Sequence, residues 1–353
     1  MKKLQTLLFA SFFSFSAISV AQDEINIGDS TALEGLKSLE IYNTGIEKFN
    51  EKDYSSAILY FDSAITLNPS YEKAYFDRGS ARYQLKDYTT AITDFDKSIE
   101  LNPDSTEAHY LKGRSNENLK NTEAALSDYT NEIKINPTNA EAYYYKGGIN
   151  YINEKYDEAI KNYSNAIKNK ADYAYAYNDR GSAKRQIKDL SGAINDYTKA
   201  TLIDKSLAFV YNNLGSALRN NEQYDKAIEH YNTAIQLKTD YYIAYTNRGL
   251  AKFEKSDYKG AIADYDDAIR LNASYAYAFN NRSAAKYKLE DYKGAVEDCN
   301  KAIILDQDYG AAYLNRGIAK EMLRDQDGAC ADWKKAASLG LRNGKSFVQQ
   351  SCN

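Results

Sequence analysis

The sequence predicts an all-α solenoid in which one two-helix unit is repeated nine times. Three observations lead there. Glycine recurs every 34 residues, at Gly45, Gly79, Gly113, Gly147, Gly181, Gly215, Gly249 and Gly317, with Ser283 in the one gap. A period of this length marks a stack of repeated units. With that glycine numbered position 8, alanine holds position 20 in all nine copies (Ala57 to Ala329), and position 24 is aromatic in eight (Phe61 to Trp333), Cys299 being the exception. Within each half of a unit the spacings are 3, 4 and 7, as Tyr245–Gly249 and Ala261–Tyr265–Ala268 show. That is helical periodicity.

Taken in order, the chain opens with Lys2 and Lys3, an apolar, serine-rich stretch to Val20, and small residues at Ser19 and Ala21. Residues 1–21 read as a secretory signal peptide cleaved before Gln22. The alternative is an uncleaved anchor, for which the stretch is short against the ~20 apolar residues a span needs. No later run is long enough to cross a bilayer, so the expectation is an exported, periplasmic or extracellular protein without an integral membrane span. Loss of two lysines moves the formal charge from −4 to −6. That balance argues against nucleic-acid binding, which needs a clustered basic face. Residues 22–37 form a polar lead into the first helix, 38–343 hold the nine repeats, and 344–353 close the chain.

Inside a unit, glycine at position 8 sits mid-helix, where it costs ~1 kcal/mol relative to alanine. Its recurrence implies close contact with a neighbouring helix. A polar–tyrosine pair near positions 16–17 separates the two helices. Asn68-Pro69, Asn102-Pro103 and Asn136-Pro137 end the first three units, with proline stopping the helix. Later units lack that proline, so their junctions are expected to turn less sharply.

These residues resemble the tetratricopeptide repeat, whose pattern has an aromatic residue at 4, glycine at 8, alanine at 20, an aromatic at 24, alanine at 27 and proline at 32. The resemblance spans 38–343. It implies antiparallel helix pairs stacked into a right-handed superhelix with a concave inner groove. Two departures stand out: the family's leucine at 7 is mostly arginine or lysine here, and its tyrosine at 11 is mostly lysine.

Nine copies in one chain allow internal comparison. Position 7 is basic in seven repeats (Arg78, Lys112, Lys146, Arg180, Arg248, Arg282, Arg316), and six of these carry aspartate at 23 (Asp94, Asp128, Asp196, Asp264, Asp298, Asp332). Repeats 1 and 6 lack both. Lysine or arginine at 11 (Lys48, Arg82, Lys184, Lys252, Lys286, Lys320) accompanies aspartate at 16 (Asp53, Asp87, Asp189, Asp257, Asp291, Asp325). Each pair is expected to join the two helices of one repeat, since a buried charge that loses its partner is costly. Recent duplication of repeats would produce the same correlation without contact.

By the resemblance, positions 2, 5, 6, 9, 12 and 13 face the groove. Position 6 carries Asn213, Asn247, Asn281 and Asn315 in consecutive repeats, with Asn43, Asp77 and Asp179 in the same place earlier. An amide side chain matches the donor and acceptor of a peptide unit, so such a ladder suits the backbone of an extended chain. It looks like the asparagine ladder of the O-linked N-acetylglucosamine transferases. Packing or solvation accounts for asparagine there equally well. Tyr175, Phe209 and Tyr277 at position 2 are the aromatic candidates beside it, since tyrosine favours contact surfaces. The lysine at 5 and asparagine at 9 that a carboxylate clamp requires are missing, which disfavours chaperone C-termini as ligands.

Of three cysteines, Cys299 fills an aromatic core slot, and Cys330 and Cys352 are expected to form a disulfide clipping a final helix over the open end of the stack. Three free thiols are the alternative. Catalytic motifs are missing. His109 and His230 replace tyrosine and aspartate in structural slots, Gly340–Ser346 is one residue short of a phosphate loop, and no cysteine–histidine cluster has metal spacing. The expectation is a non-enzymatic scaffold, without cofactor or metal, that binds a protein or extended peptide in its groove. An assembly subunit of a cell-envelope complex is the second reading, and a carbohydrate receptor the third.

Overall fold

The computed structural model describes residues 30–352, which form nineteen α-helices and no strand. The expected signal segment, residues 22–29 of the lead, and Asn353 lie outside the described residues. The chain divides into two compact units, one up to Leu119 and one from Lys120. The first holds α1 (Ser30–Asn50), α2 (Tyr54–Leu67), α3 (Glu72–Gln84), α4 (Tyr88–Leu101) and α5 (Thr106–Asn118). The second begins with α6 (Thr122–Ile135), α7 (Ala140–Ile152), α8 (Tyr156–Asn169), α9 (Ala174–Gln186) and α10 (Leu190–Ile203). It continues with α11 (Ala208–Asn220), α12 (Tyr224–Leu237), α13 (Tyr242–Glu254), α14 (Tyr258–Leu271) and α15 (Ala276–Lys288). It ends with α16 (Tyr292–Leu305), α17 (Gly310–Met322), α18 (Gln326–Ser338) and α19 (Arg342–Ser351).

Two devices at the turn inside each repeat set the helix boundaries. Position 15 adopts the left-handed conformation in all nine copies, with φ of 59–66° at Lys52, Lys86, Lys120, Glu154, Lys188, Glu222, Ser256, Glu290 and Arg324. That residue folds the chain back so that the next N–H groups reach carbonyls of the finished helix, as Lys52 N does to Phe49 O and Asp53 N to Lys48 O, both 2.9 Å. This is a helix C-cap without its usual glycine. Position 16 then starts the second helix. The carboxylates of Asp53, Asp87, Asp189, Asp257, Asp291 and Asp325 each accept from the backbone N–H three residues on, for example Gly192 N to Asp189 Oδ1 at 2.9 Å. These aspartates are N-caps, which corrects the expected pairing of positions 11 and 16.

The junction between repeats keeps one geometry with or without proline, contrary to the expectation of slacker later turns. Asn68 Oδ1 accepts from Ser70 N at 3.2 Å before a proline-containing turn, and Asn272 Oδ1 accepts from Ser274 N at 3.1 Å where alanine replaces the proline. An Asx turn braces the bend where asparagine or aspartate holds that place, and Lys170 and Lys238 adopt the same backbone conformation as Asn272 without one.

The recurrent glycine is a seat for the position-24 ring. A Cβ on Gly215 or Gly249 would lie 2.7 Å from the ring of Tyr231 or Tyr265, and one on Gly79 2.9 Å from Phe95. Real Cβ atoms do not approach so closely. The eighth repeat solves the same problem in reverse: Ser283 adds a side chain, and Cys299 replaces the ring, its thiol lying 3.2 Å from Ser283 Oγ. Burial pushes the Cys299 thiol up to about 11, so it stays protonated.

Within each unit the first helices of successive repeats touch one another, α1–α3–α5 in one and α7–α9–α11–α13–α15–α17 in the other. Second helices make no comparable contact among themselves. The first helices therefore line the inner side of each unit, which positions the candidate site.

Candidate functional site

The inner sides of the two units carry side-chain hydrogen bonds that cross five of the joints, from position 5 of one repeat to position 6 of the next. Asn213 Nδ2 donates to Asn178 Oδ1 at 3.0 Å, Asn247 Nδ2 to Asn212 Oδ1 at 2.9 Å, and Asn315 Nδ2 to Asn280 Oδ1 at 3.0 Å. Where position 6 is acidic, position 5 is tyrosine: Tyr42 OH donates to Asp77 at 2.6 Å and Tyr144 OH to Asp179 at 2.7 Å. Asn43, in the first repeat, has no preceding joint and is exposed. Asn281 breaks the series. Its Nδ2 is buried and unpaired, because position 5 of the seventh repeat is Thr246, whose hydroxyl turns back to Tyr242 O at 3.0 Å.

The predicted ladder thus spends part of its hydrogen-bonding capacity on the joints. The Oδ1 atoms of Asn213, Asn247 and Asn315 accept from no side chain among the described residues, so the ladder still presents carbonyl acceptors along the inner face. The partners Asn178, Asn212 and Asn280 escaped the sequence reading. Their signal was present in the adjacent Asn-Asn pairs of the sixth and eighth repeats. Of the aromatic candidates, the rings of Tyr175 and Phe209 stack at 5.8 Å, while Tyr277 is 39% exposed with its ring 5.9 Å from Tyr275.

The two acidic members behave differently from the amides. Burial pushes the Asp77 carboxyl up to about 6, against the opposing pull of its Tyr42 hydrogen bond. Burial raises Asp179 too, countered by Tyr144 and Asn178. For Asp77 the folded state holds the proton more tightly than the unfolded state, so stability falls as pH rises from about 4 to about 6 and stays low above that. Asp77→Asn keeps an acceptor for Tyr42 and removes the charge. It should raise stability by about 2 kcal/mol at pH 7.5 and by almost nothing at pH 4. Urea unfolding at the two pH values checks this; an equal effect at both would dismiss the ionised carboxylate as its source.

Between the two helices of a repeat lies a second network. Arg78, Arg180, Arg248 and Arg282 each place Nη2 2.6 Å from Asp94, Asp196, Asp264 and Asp298, and Arg316 lies 2.5 Å from Asp332. The predicted pairing of positions 7 and 23 is present in all five. The position-11 cations Arg82, Lys184, Lys252, Lys286 and Lys320 grip the other oxygen of the same aspartates at 2.7–2.9 Å. Each aspartate, at most 5% exposed, is therefore held by two cations. Each arginine also reaches back to position 25 of the preceding repeat: Arg78 to Asp62 at 2.5 Å, Arg180 to Ser164 at 3.0 Å, Arg248 to Asn232 at 2.6 Å, Arg282 to Asp266 at 2.5 Å and Arg316 to Asn300 at 2.7 Å. Its flat face lies over the position-4 ring, as with Arg248 over Tyr245 at 5.3 Å. Lys146, whose repeat has Asn162 in place of the aspartate, donates to Thr130 at 2.9 Å, again at position 25 of the preceding repeat.

The sixth repeat replaces the whole network together. Leu214 and Leu218 stand for the two cations and pack with Tyr197, Ala217, Ala227 and Tyr231 in one buried apolar cluster. His230 stands for the aspartate and stacks on Tyr211 at 6.2 Å, and burial lowers its basicity.

Two tetratricopeptide repeat family models match the sequence, one at residues 208–241 and another at 110–163, 151–206 and 246–310. Together they cover more than half of the chain. The chain is a tetratricopeptide-repeat protein. A model of anaphase-promoting complex, cyclosome, subunit 3 matches residues 50–129. No curated protein matches the sequence. Among solved structures, a tetratricopeptide repeat protein from Parabacteroides merdae superposes with a TM-score of 0.59 at 16% identity, covering 70% of this chain and 99% of that one. The APC/C hetero-tetramer Cut9–Hcn1 gives 0.57 at 14% identity, covering 90% and 76%. YrrB, a tetratricopeptide-repeat protein with an unusual peptide-binding site, gives 0.48 at 20% identity, covering 52% and 95%. The first two likenesses establish the fold.

The tetratricopeptide-repeat stack ends in a disulfide between Cys330 and Cys352, and Cys299 is the free thiol. Helix α19 lies on α18, with Phe347 stacked on Trp333 at 4.9 Å. Phe347 falls at position 4 of what would be a tenth repeat, so α19 occupies the place of its first helix. Among the described residues no group of histidine, cysteine and carboxylate side chains is arranged to hold a metal, and no helix is long and apolar enough to cross a membrane.

Proposed function

We propose that this tetratricopeptide-repeat protein is an exported scaffold for protein–protein interaction, holding an extended segment of its partner along the inner face of repeats 5 to 9. The observation that carries the reading is the line of position-6 amides, Asn213, Asn247, Asn281 and Asn315. Three of them offer unused carbonyl acceptors at the spacing of the repeat, beside Tyr175, Phe209 and Tyr277. Acceptors at a fixed rise suit backbone N–H groups and read little side-chain identity. Asn43, Asp77 and Asp179 extend the same position into earlier repeats. The signal segment supports an envelope or extracellular setting, and no catalytic group enters the reading.

A pull-down from the envelope fraction tests it. The variant carrying alanine at Asn213, Asn247, Asn281 and Asn315 should lose at least tenfold in partner capture, with the wild-type helical circular dichroism retained as the control for the joint bonds it also removes. Undiminished capture by the folded variant would reject the ladder. It would favour the second reading, an assembly subunit working through its outer side, where Leu202 and Ile304 are 63% and 71% exposed on α10 and α16.

A further inference from the structure

We infer that Arg185 and Arg219 form a subsite for carboxylate side chains, so that the segment held along the inner face is acidic where it crosses repeats 5 and 6. The inference rests on the reading of that face as the seat of an extended chain, and names what that chain carries. Both arginines stand at position 12, one of the groove-facing positions, on α9 and α11, which touch one another. Their fields overlap. Burial raises the pKa of the Tyr231 hydroxyl, and its 3.1 Å hydrogen bond to Ser216 Oγ lowers it. Arg219 and Arg185 then both lower it, so both guanidiniums lie within electrostatic reach of one buried phenol.

Two observations call for an anion there. The first is that neither guanidinium is paired. Arg185 and Arg219 are half-buried and form no ion pair or side-chain hydrogen bond among the described residues. Every other half-buried arginine among them has a carboxylate: the five at position 7, Arg82 and Arg114. A cation partly stripped of water and set beside a like charge is unfavourable by itself. The carboxylates close by do not relieve it. Asp179 is bonded to Tyr144 and Asn178. The hydrogen bond from Gln186 to Tyr151 joins position 13 to position 12 of the preceding repeat, and that register sets Glu254 beside Arg219, yet Glu254 is exposed and forms no ion pair with it. The second observation is what position 12 does elsewhere. Five repeats place a ring there against the ring at position 17, with centroids 5.2–5.5 Å apart. Repeats 5 and 6 give up that contact for arginine and gain no side-chain bond among the described residues in return.

An acidic segment answers both. A guanidinium takes a carboxylate through two parallel N–H bonds. Packed helices lie about 8–10 Å apart, and alternate side chains of an extended chain lie about 7 Å apart on one side. Two glutamates separated by one residue therefore reach the two arginines in turn. A chain terminus offers a single carboxylate to a site with two cations. Nucleic acid does not compete, because the chain is acidic overall, with a formal charge of −4, and two arginines are no basic face.

The probes are two peptides capped at both ends, one alternating glutamate with serine and one alternating glutamine with serine. Fluorescence anisotropy with the purified protein should show the glutamate peptide binding about tenfold tighter or more at low salt, with the preference shrinking as salt rises. Arg185→Gln with Arg219→Gln should bring the glutamate peptide down to the affinity of the glutamine peptide. Helical circular dichroism and the urea midpoint should be retained, since neither side chain is bonded within the fold. Lys199→Gln with Lys205→Gln removes the same charge from exposed positions outside α9 and α11 and should leave the preference intact. Equal affinity of wild type for the two peptides, a preference that survives in the arginine variant, or one lost equally in the lysine variant would each overturn the subsite. The ladder reading fails separately: alanine at Asn213, Asn247, Asn281 and Asn315 would then leave the glutamine peptide bound as in wild type. A wild type that binds neither peptide would overturn both.

Discussion

Asp264→Leu is expected to lower stability by about 3–5 kcal/mol, the largest effect of any single change considered for this protein. The carboxylate is 3% exposed and holds two cations, Arg248 at 2.6 Å and Lys252 at 2.9 Å. Removing it strands both charges in a site built around it. The cost belongs to the unpaired cations more than to the lost attraction. Replacing all three groups should therefore be far milder than replacing one. The chain contains that experiment already, in Leu214, Leu218 and His230 of the sixth repeat. A triple variant with Arg248→Leu, Lys252→Leu and Asp264→His installs that set in the seventh repeat, where Tyr245 stands ready to stack on the new imidazole as Tyr211 does. It should lie within about 1–2 kcal/mol of wild type. Urea unfolding of the single and triple variants decides the matter. A single variant as stable as the triple would mean that the aspartate is dispensable.

The second large effect concerns the glycine seat. Cys299→Tyr should destabilise the eighth repeat by about 1–3 kcal/mol, because Ser283 fills the space that every aromatic position-24 residue takes from glycine. Ser283→Gly with Cys299→Tyr restores the arrangement of the seventh repeat, where Gly249 faces Tyr265. The double variant should recover nearly all of the loss. A coupling energy of about 1–3 kcal/mol in the double-mutant cycle is the expected result; strictly additive effects would show that the two positions do not share space.

What could be read from the sequence follows from how each contact repeats. Gly79 and Phe95 recur together at fixed positions, so the period itself exposes the seat between them. The cation at the place of Arg78 and the aspartate at the place of Asp94 are kept or lost together in eight of the nine copies, so their contact was legible without a structure. The same logic misled at Asp257. It travels with Lys252, yet its carboxylate caps α14 while Lys252 turns to Asp264. A capping signal was there to be read, aspartate three residues before Gly260, and it competes directly with an ion-pair reading of the same residue. The bridge from Arg180 to Ser164 was invisible for another reason. Position 25 needs only an oxygen acceptor, and Asp62, Ser164, Asn232, Asp266 and Asn300 all provide one, so no single residue type marks it. The ladder was legible as a line of asparagines, but Asn178 and Asn212 lay outside it. Comparison of like positions does not reveal a bond that steps from position 5 to position 6 across a joint. Left-handed backbone at Lys188 and its equivalents carried no signal either, since glycine, its usual marker, is absent.

The tether between Cys330 and Cys352 gives the stack a direction of failure. In a linear array the terminal units open first, since each has one neighbour instead of two. Here the last unit is bound to the chain's own end, and the opened state of that segment keeps little of the freedom that would reward opening. Local opening near the C-terminus is suppressed for as long as the bond is oxidised. Exposure to proteases, and the order in which the repeats give way under load, then depend on the redox state of the surroundings and not on the repeats alone.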